Sequence, residues 1–153
     1  MSERKPGYSI APLESLSWRE SNMMKIPNAD LLKQLGGAPS LTGRFWRMPP
    51  YSANTWHRHV DQWELYVVLE GTGRMRVGEE TLTVPLHGAV LVEPRAMRQV
   101  FNDGADETLW LILGAPHDGA AGNPPPLSEF YPEDPKGLPQ ELSGHDWPPH
   151  GKE

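Results

Sequence analysis

The sequence predicts an all-β protein, and three observations support this prediction. Between residues 41 and 114, short runs of β-branched, aromatic and other apolar residues alternate with clusters of Gly, Pro, Asn and Asp. The chain contains 15 Gly and 17 Pro, which suits short strands joined by turns. No stretch shows the period of a long amphipathic helix. Many short strands at nearly even spacing indicate a sandwich or a barrel.

The predicted strands follow one another without a long interruption. We place them at residues 42–48, 53–59, 63–70, 74–77, 81–84, 89–93, 98–102 and 108–113. Before them, residues 29–35 suffice for one or two helical turns, which Gly36 and Gly37 would end. The chain therefore divides into an irregular N-terminal arm (1–38), one barrel domain (39–114) and a Pro-rich C-terminal tail (115–153).

Two predicted strands are apolar on both faces, although a barrel strand needs apolar residues only on its interior face. In the strand 63–70, one face carries Trp63, Leu65, Val67 and Leu69, and the other carries Glu64, Tyr66 and Val68. The run 109–113 is similar. The outer apolar residues need a cover from the N-terminal arm or from a second subunit, and we expect a homodimer.

Composition excludes several classes of site and partner. The chain has no cysteine, so a disulfide, a thiolate metal site and a cysteine nucleophile are all excluded. Its formal net charge is -6, and the basic pair Arg95 and Arg98 is too small for general nucleic-acid binding. No run approaches the roughly 20 apolar residues of a membrane helix, and the N-terminus lacks the apolar run of a secretory signal. We therefore expect a cytoplasmic protein without a nucleic-acid or membrane partner.

The strongest chemical signal is the segment 57–64, His-Arg-His-Val-Asp-Gln-Trp-Glu. On a strand, side chains two residues apart share a face and lie about 6–7 Å apart along the backbone, so His57 and His59 can converge on one ion. Glu64 opens the next strand and adds a carboxylate if it faces inward. Two histidines and one carboxylate on one side of an ion leave positions open for a substrate. The alternative is common, because an isolated His-x-His is usually surface decoration or a hydrogen-bonded pair.

The segment resembles the first motif of the cupin superfamily, in its small conserved-barrel form. That motif runs Gly, five residues, His-x-His, three or four residues, Glu, six residues, Gly. The chain has His57, His59, Glu64 and Gly71 at these spacings, while the leading Gly is missing. The resemblance extends from about residue 46 to residue 114, which is about half of the chain.

The second cupin motif is degraded in this sequence. It runs Gly, five residues, Pro, x, Gly, two residues, His, three residues, Asn. The chain has Gly88 and Pro94, then Ala96 for the Gly, Gln99 for the third His, and Asn102 one position early.

The resemblance implies a double-stranded β-helix, or jelly-roll, barrel with an ion near one end of its interior. It also implies metal ligands at His57, His59, Glu64 and Gln99, and a divalent transition metal, Fe, Mn, Zn or Ni, as the cofactor. A glutamine amide oxygen is a weaker ligand than an imidazole. We therefore expect weak metal binding at a centre with an open coordination face.

Four large residues are candidates for the wall of a ligand pocket. Tyr66 shares the inward face with Glu64, and Trp46, Trp56 and Phe101 are placed to give an aromatic wall to an organic ligand. Large aromatic residues more often only fill a core, which is the alternative for all four.

Three arginines lie on predicted strands near these residues. Arg98 flanks Gln99 on the opposite strand face, where we expect it to be solvated. Arg44 or Arg47 would bind a substrate carboxylate if it pointed inward, although a solvated strand face is the more common case.

Two functions fit this set of residues. The first is a metal-dependent enzyme acting on a small organic molecule, in which Glu64 is a ligand or a general base. Oxygenases, isomerases and lyases of the superfamily share these residues, so the reaction type stays open. The second is a non-catalytic protein that binds a small molecule with weak or absent metal, and the degraded second motif favours it. A purely structural domain gives no reason for the convergence of two histidines and a glutamate.

Overall fold

The computed structural model describes residues 3–120 and 122–149, which form twelve strands and two single-turn α-helices. The strands are β1 (Glu3–Lys5), β2 (Tyr8–Ile10), β3 (Arg19–Glu20), β4 (Pro27–Asp30), β5 (Thr42–Met48), β6 (Ser52–Ala53), β7 (Trp63–Glu70), β8 (Gly73–Val77), β9 (Glu80–Val84), β10 (Ala89–Val92), β11 (Arg98–Asn102) and β12 (Thr108–Ala115). The helices are α1 (Leu31–Gln34) and α2 (Leu127–Phe130), and 3-10 turns cover Leu13–Ser15 and Gln140–Leu142. Within the described ranges, no helix has the length and apolar character that crossing a membrane requires.

Two antiparallel sheets pack against each other as a jelly-roll barrel. The larger sheet has the strand order β10-β7-β12-β5-β4-β3, the smaller has the order β6-β11-β8-β9, and β1 pairs with β2 in a separate hairpin. The predicted strands 42–48, 63–70 and 98–102 agree with the structure to the residue, and the predicted strands 74–77, 81–84, 89–93 and 108–113 differ by one or two residues at an end. The all-β fold class is confirmed.

The core lies between the sheets and follows from the alternation of side chains along each strand. On β7, the inward residues are buried, while the apolar residues between them are only partly buried. The apolar residues that both sheets contribute to this core include Tyr66, Val68, Trp110, Met75 and Val100. The core thus places the inward face of β7, where Glu64 lies, opposite the inward face of β11.

The C-terminal tail covers the face of the smaller sheet that points away from this core. Leu142 is 1% exposed, and Trp147 packs against the core cluster. On the covered face, the Gln99 amide donates to the Gly137 carbonyl at 2.8 Å. Every residue of β11 is consequently buried, whichever face its side chain occupies.

The N-terminal arm is partly regular, which corrects the prediction of an irregular arm. β3 and β4 extend the larger sheet, and β4 pairs with β5. The Asp30 carboxylate caps α1 by accepting from the Lys33 backbone N–H at 3.0 Å. Gly36 and Gly37, both with positive φ, follow the helix, as predicted.

The larger sheet also has an apolar outer face, as the sequence predicted for β7 and β12. Leu91 is 61% exposed and Trp63 is 43% exposed. Leu65 pairs in register with Leu91 on β10 and with Leu113 on β12, so these residues form one row across three strands. We call the residues on this side of the sheet, Trp63, Leu65, Val67, Leu91, Leu111 and Leu113, the outer apolar face.

Candidate metal centre

The segment that carries the two histidines is not the regular strand predicted at residues 53–59. β6 ends at Ala53, and His57 forms an isolated antiparallel bridge with Arg98. In this bridge the His57 N–H donates to the Arg98 carbonyl at 3.0 Å, and the Arg98 N–H donates to the His57 carbonyl at 2.7 Å. The prediction of a continuous strand is therefore wrong, because β11 is the strand partner of this segment at only a few positions.

The C-terminal tail holds the other side of the same segment. The Trp56 N–H donates to the Pro135 carbonyl at 2.9 Å, and the Arg58 N–H donates to the Phe130 carbonyl at 3.0 Å. These backbone bonds replace those of a neighbouring strand. The segment is thereby fixed between β11 and the tail, with both histidine side chains directed to one centre.

The side chains of His57, His59 and Glu64 converge. One ligand atom from each, a ring nitrogen or a carboxylate oxygen, lies within 4.8 Å of the other two. The centroids of the two imidazoles are 5.1 Å apart, and the rings are nearly perpendicular. Metal bonds to such ligands are about 2.0–2.2 Å long, so small side-chain movements bring all three atoms onto one ion.

Glu64 faces inward from the start of β7 and is held by its neighbours. The Tyr66 hydroxyl donates to Glu64 Oε1 at 2.6 Å, and the Gln62 amide donates to Oε2 at 3.3 Å. His59 Nε2 lies 3.2 Å from Oε1. Glu64 is buried, and these contacts orient its carboxylate toward the histidines.

Asp118, in the tail, orients the second histidine. His59 Nδ1 and Asp118 Oδ2 are 2.7 Å apart. The other carboxylate oxygen, Oδ1, accepts from the backbone N–H groups of Val60, Asp61 and Gln62 at 3.1, 2.6 and 3.0 Å. Asp118 thus connects the His59 imidazole to the turn that follows it. A carboxylate that contacts the second ring nitrogen in this way is common for metal-binding histidines. Sequence reasoning missed this residue, since nothing in the tail predicts which of its acidic residues returns to the barrel.

His57 is oriented by its own backbone. Its Nδ1 lies 3.1 Å from the Thr55 carbonyl oxygen and 3.2 Å from the Thr55 hydroxyl. If Nδ1–H donates to that carbonyl, Nε2 carries the lone pair of the neutral ring and is the ligand atom.

Burial and mutual contacts shift the pKa values of all three side chains. Burial lowers the pKa of His57 to about 4, against the opposing charge of Glu64. Burial acts to raise the pKa of Glu64. The hydrogen bond and charge of His59, together with the charge of His57, outweigh burial and lower this pKa to about 2. For His59, burial acts to lower the pKa, yet the contacts with Glu64 and Asp118 raise it above its usual value. At neutral pH, His57 is therefore neutral and Glu64 ionised, which are their metal-binding protonation states, and His59 binds an ion only in its deprotonated form.

Gln99 does not join this cluster. Its amide oxygen accepts from Arg76 Nε at 2.7 Å, and its amide nitrogen donates to the Asn54 and Gly137 carbonyls, both at 2.8 Å. The amide is thus occupied by groups at the tail-covered face of β11. The prediction that Gln99 is a ligand is wrong. It matches the second motif one residue out of register, and a shift of one residue along a strand moves a side chain to the opposite face.

Arg98 occupies the inward position instead. It shares its strand face with Val100, which lines a cavity beside the cluster, and its side chain is fully buried. Its Nε lies 3.9 Å from Glu64 Oε1. Three residues separate Arg98 from Asn102, as in the second motif three residues separate the His from the Asn. Relative to that motif, the chain therefore lacks one residue before Arg98. The expectation that Arg98 is solvated is wrong for the same reason as the prediction for Gln99.

The cavity beside the three converging side chains has a volume of about 550 Å³, and all three line it. Trp46 and Tyr66, two of the predicted wall residues, also line it. Arg44 reaches it from the inner side of β5, and the tail contributes Phe130 and Tyr131. The site therefore combines residues of the larger sheet, the histidine segment and the tail.

The other two predicted wall residues lie outside the cavity. The Arg76 guanidinium lies 4.0 Å from the centre of the Trp56 ring, and the Arg74 guanidinium lies 5.4 Å from the centre of the Phe101 ring. Phe101 shares its strand face with Gln99, on the side that the tail covers. The prediction that Trp56 and Phe101 face a ligand is corrected, because the tail gives the smaller sheet a second buried face.

Comparisons with known proteins agree with this architecture. A family model described as "Cupin domain" matches residues 44–114. A comparison with curated protein sequences finds no match.

Solved structures share the fold over most of their length. TT1209 from Thermus thermophilus is 25% identical, with a TM-score of 0.58 over 71% of this chain and 97% of that one. A putative ethanolamine utilization protein q from Salmonella typhimurium is 17% identical, with a TM-score of 0.63 over 77% of this chain and 94% of that one. A sugar phosphate isomerase of the cupin superfamily from Silicibacter pomeroyi is 16% identical, with a TM-score of 0.60 over 68% of this chain and 73% of that one. Through its barrel and its first motif, the matched region of this chain, residues 44–114, is a cupin domain.

Proposed function

We propose that this protein binds one divalent metal ion through His57, His59 and Glu64 and uses it to act on a small organic molecule. One observation carries the proposal: the three side chains converge at the wall of a cavity large enough for such a molecule. A structural ion is usually enclosed by four protein ligands, whereas a catalytic ion keeps a position open for its substrate. Three ligands beside a cavity fit the catalytic case.

The donor chemistry fits a divalent transition metal. Two imidazole nitrogens and one carboxylate oxygen suit Fe, Mn, Zn and Ni. Thr55 and Asp118 contact Nδ1 of the two rings, which leaves Nε2 of each ring as the ligand atom. When bound, the ion supplies Lewis acidity that polarises an oxygen of the substrate.

Glu64 fits the role of a ligand better than that of a general base. Its pKa of about 2 makes it a weak proton acceptor, whereas an efficient general base has a pKa near the working pH. Burial raises the pKa of Tyr66 well above its usual value, so the hydroxyl stays protonated and continues to donate to Glu64. At neutral pH the pair therefore positions a carboxylate rather than moving a proton.

The cavity wall supports a substrate with an apolar body and an anionic or polar group. Trp46, Val100 and Ile112 give it apolar surface. Arg44 meets the condition under which it would bind a carboxylate, since it lines the cavity. Its guanidinium is fixed by an ion pair with Asp30 at 3.0 Å, which pre-orients it.

A second candidate function is non-catalytic binding of a small molecule with weak or absent metal. The position of Arg98 favours it, since a guanidinium stands where the family places its third histidine. Arg98 Nε lies 3.9 Å from Glu64 Oε1, so the protein itself supplies a positive charge beside this carboxylate. In this case the cavity holds its ligand without metal chemistry.

Metal content separates these two functions. We would purify the protein without a His tag, reconstitute it with Fe, Mn, Ni or Zn, and measure bound metal by mass spectrometry. A stoichiometric ion is expected in the wild type and none in the His57→Ala/His59→Ala variant. His87→Asn is the matched control, because His87 is an exposed turn residue with a φ of 65° that asparagine tolerates. Wild-type protein that stays metal-free after reconstitution would exclude the enzyme and favour the binding protein.

We further propose that the protein works as a homodimer, and the outer apolar face supports this. An exposed row of large apolar side chains is typical of a protein interface. The cytoplasmic location and the absence of nucleic-acid and membrane partners stay predictions.

A further inference from the structure

Arg98 is the residue of this centre that the superfamily motif does not explain. The motif places a third histidine ligand on the inward face of this strand, and the structure places a guanidinium there. The Arg98 side chain is 0% exposed, and its Nη2 donates to the Glu93 carbonyl at 2.9 Å. Its Nε and Nη1 have no hydrogen-bond acceptor within the described part of the chain.

We propose that Arg98 replaces the fourth ligand and tunes the centre, so that it binds its metal through only three protein ligands and with reduced affinity. This inference rests on the proposed function. It makes Arg98 a positioning residue that acts through Glu64, rather than a group that contacts the substrate.

The charge of Arg98 is permanent. A guanidinium stays protonated in proteins, so burial cannot neutralise it as it neutralises a lysine or a histidine. A buried charge requires a partner of opposite charge. Glu64 is the one carboxylate within 4.0 Å of the Arg98 guanidinium in the described ranges. The two side chains therefore form a buried pair that exists whether or not a metal is bound.

This pair weakens the attraction of the centre for a metal ion. Arg98 Nε lies 3.9 Å from Glu64 Oε1, and that oxygen lies 3.2 Å from His59 Nε2. An ion held by these ligands shares the carboxylate with Arg98 and lies near a second positive charge. Like charges a few ångström apart in a protein interior repel by enough to change an affinity tenfold or more. The same position also contributes no lone pair, because a guanidinium has no acceptor atom.

The consequence is a centre that differs from a four-ligand centre in two respects. It holds the metal less tightly, and one more coordination position is free for a substrate or water. Arg98 also keeps the Glu64 carboxylate compensated when no ion is bound, so the empty centre is not left with a single buried charge.

The test measures metal affinity rather than activity. Arg98→His removes the positive charge and supplies an imidazole, whereas Arg98→Met removes only the charge. The dissociation constant for Zn²⁺ would be measured by competition with a chelating dye, and folding would be checked by circular dichroism and thermal unfolding. Relative to wild type, we expect about tenfold tighter binding for Arg98→Met and a further tenfold for Arg98→His. Arg76→Met is the matched control, since Arg76 contacts Gln99 at the tail-covered face, and its affinity should equal that of wild type.

Folded Arg98 variants whose affinity is unchanged or weaker would overturn the inference. Gln99→His tests the register without altering Arg98: it should leave zinc affinity unchanged, and tighter binding would show that residue 99, not residue 98, faces the ion. The outcome is distinct from that of the proposed function. If wild type binds no metal but Arg98→His does, the metal-dependent function fails, and only the part of the inference that attributes the lost affinity to Arg98 stands. If wild type binds metal and the Arg98 variants bind it with the same affinity, the inference about Arg98 fails and the proposed function stands.

Discussion

At the scale of single residues, the two histidines depend on contacts that lie outside the first motif. Thr55 holds His57 through its carbonyl, and Asp118 holds His59 from a position 59 residues away in sequence. Both contacts fix which ring nitrogen faces the centre. Because an imidazole can bind a metal through either nitrogen, these contacts decide which nitrogen of each ring is available to the ion.

Asp118→Asn tests the contact with His59. The asparagine oxygen can still accept from the backbone N–H groups at residues 60–62, but its NH₂ group cannot accept from His59 Nδ1–H. We expect metal affinity to fall about 10- to 100-fold while the fold is retained. Isothermal titration with Zn²⁺ measures this, with the exposed Asp106→Asn as the control. An Asp118→Asn variant with wild-type affinity would show that the Asp118 contact does not orient the ligand.

Gly73 is a residue at which only the absence of a side chain fits the core. A Cβ at this position would overlap the side chains of Trp110 and Val68. Gly73→Ala should therefore lower the free energy of unfolding by about 1–3 kcal/mol, which urea unfolding measures. Gly104→Ala is the control, since a Cβ there meets only the Asn102 side chain at 3.5 Å, an ordinary contact. A Gly73→Ala variant as stable as the control would contradict this account of the core.

At the scale of elements, the tail acts as an outer layer of the smaller sheet. It covers the face of β11 that carries Gln99 and Phe101, and it also supplies backbone acceptors to the histidine segment. A strand covered on both faces can carry polar residues on either one, provided that each finds a partner. This explains why β11 contains both a buried arginine and a buried glutamine.

Leu142→Ala tests the packing of the tail. Leu142 is 1% exposed within the core cluster, so its truncation leaves a cavity that should cost about 2–4 kcal/mol of unfolding free energy. Leu127→Ala is the matched control, because Leu127 is 71% exposed, and we expect a change within about 0.5 kcal/mol. Chemical unfolding of both variants measures the difference. Equal stability of the two would mean that the tail is not part of the folded core.

At the scale of the whole molecule, the outer apolar face is a surface for which the described part of the chain offers no complete cover. The N-terminal arm covers part of this side: Trp18 lies 6.5 Å from Phe45 between ring centroids, and the Leu32 and Leu113 side chains both lie against Gly43. Leu91, at the opposite edge of the sheet, remains 61% exposed. A two-fold pairing of this face with a second copy would bury the row without any further element.

Leu91→Glu tests that pairing. Wild-type protein should have the mass of a dimer in light scattering after size-exclusion chromatography, and Leu91→Glu should shift it to the monomer, because a carboxylate would be buried without a partner. Leu86→Glu is the control, since Leu86 is 52% exposed in the turn that follows β9 and lies outside the outer apolar face. A monomeric wild type would refute the homodimer.

The sequence by itself determined most strands of the barrel and three of the four candidate ligands. Short runs of strand-forming residues bounded by turn residues placed β5, β7 and β11 correctly, since these signals are local and depend on neighbouring residues alone. The spacing of His57, His59 and Glu64 predicted a suitable donor set, and the three side chains converge once Glu64 faces inward from β7.

Only the tertiary structure decided between Arg98 and Gln99 and assigned Asp118 to His59. Arg98 and Gln99 are both polar and adjacent, and the tail buries both, so no contrast in hydropathy indicates which one faces the core. The contact with Asp118 joins residues far apart in the chain, and it depends on where a proline-rich tail returns to the barrel. Local periodicity determines which elements form, whereas the packing of distant segments determines which side chains meet at the metal centre.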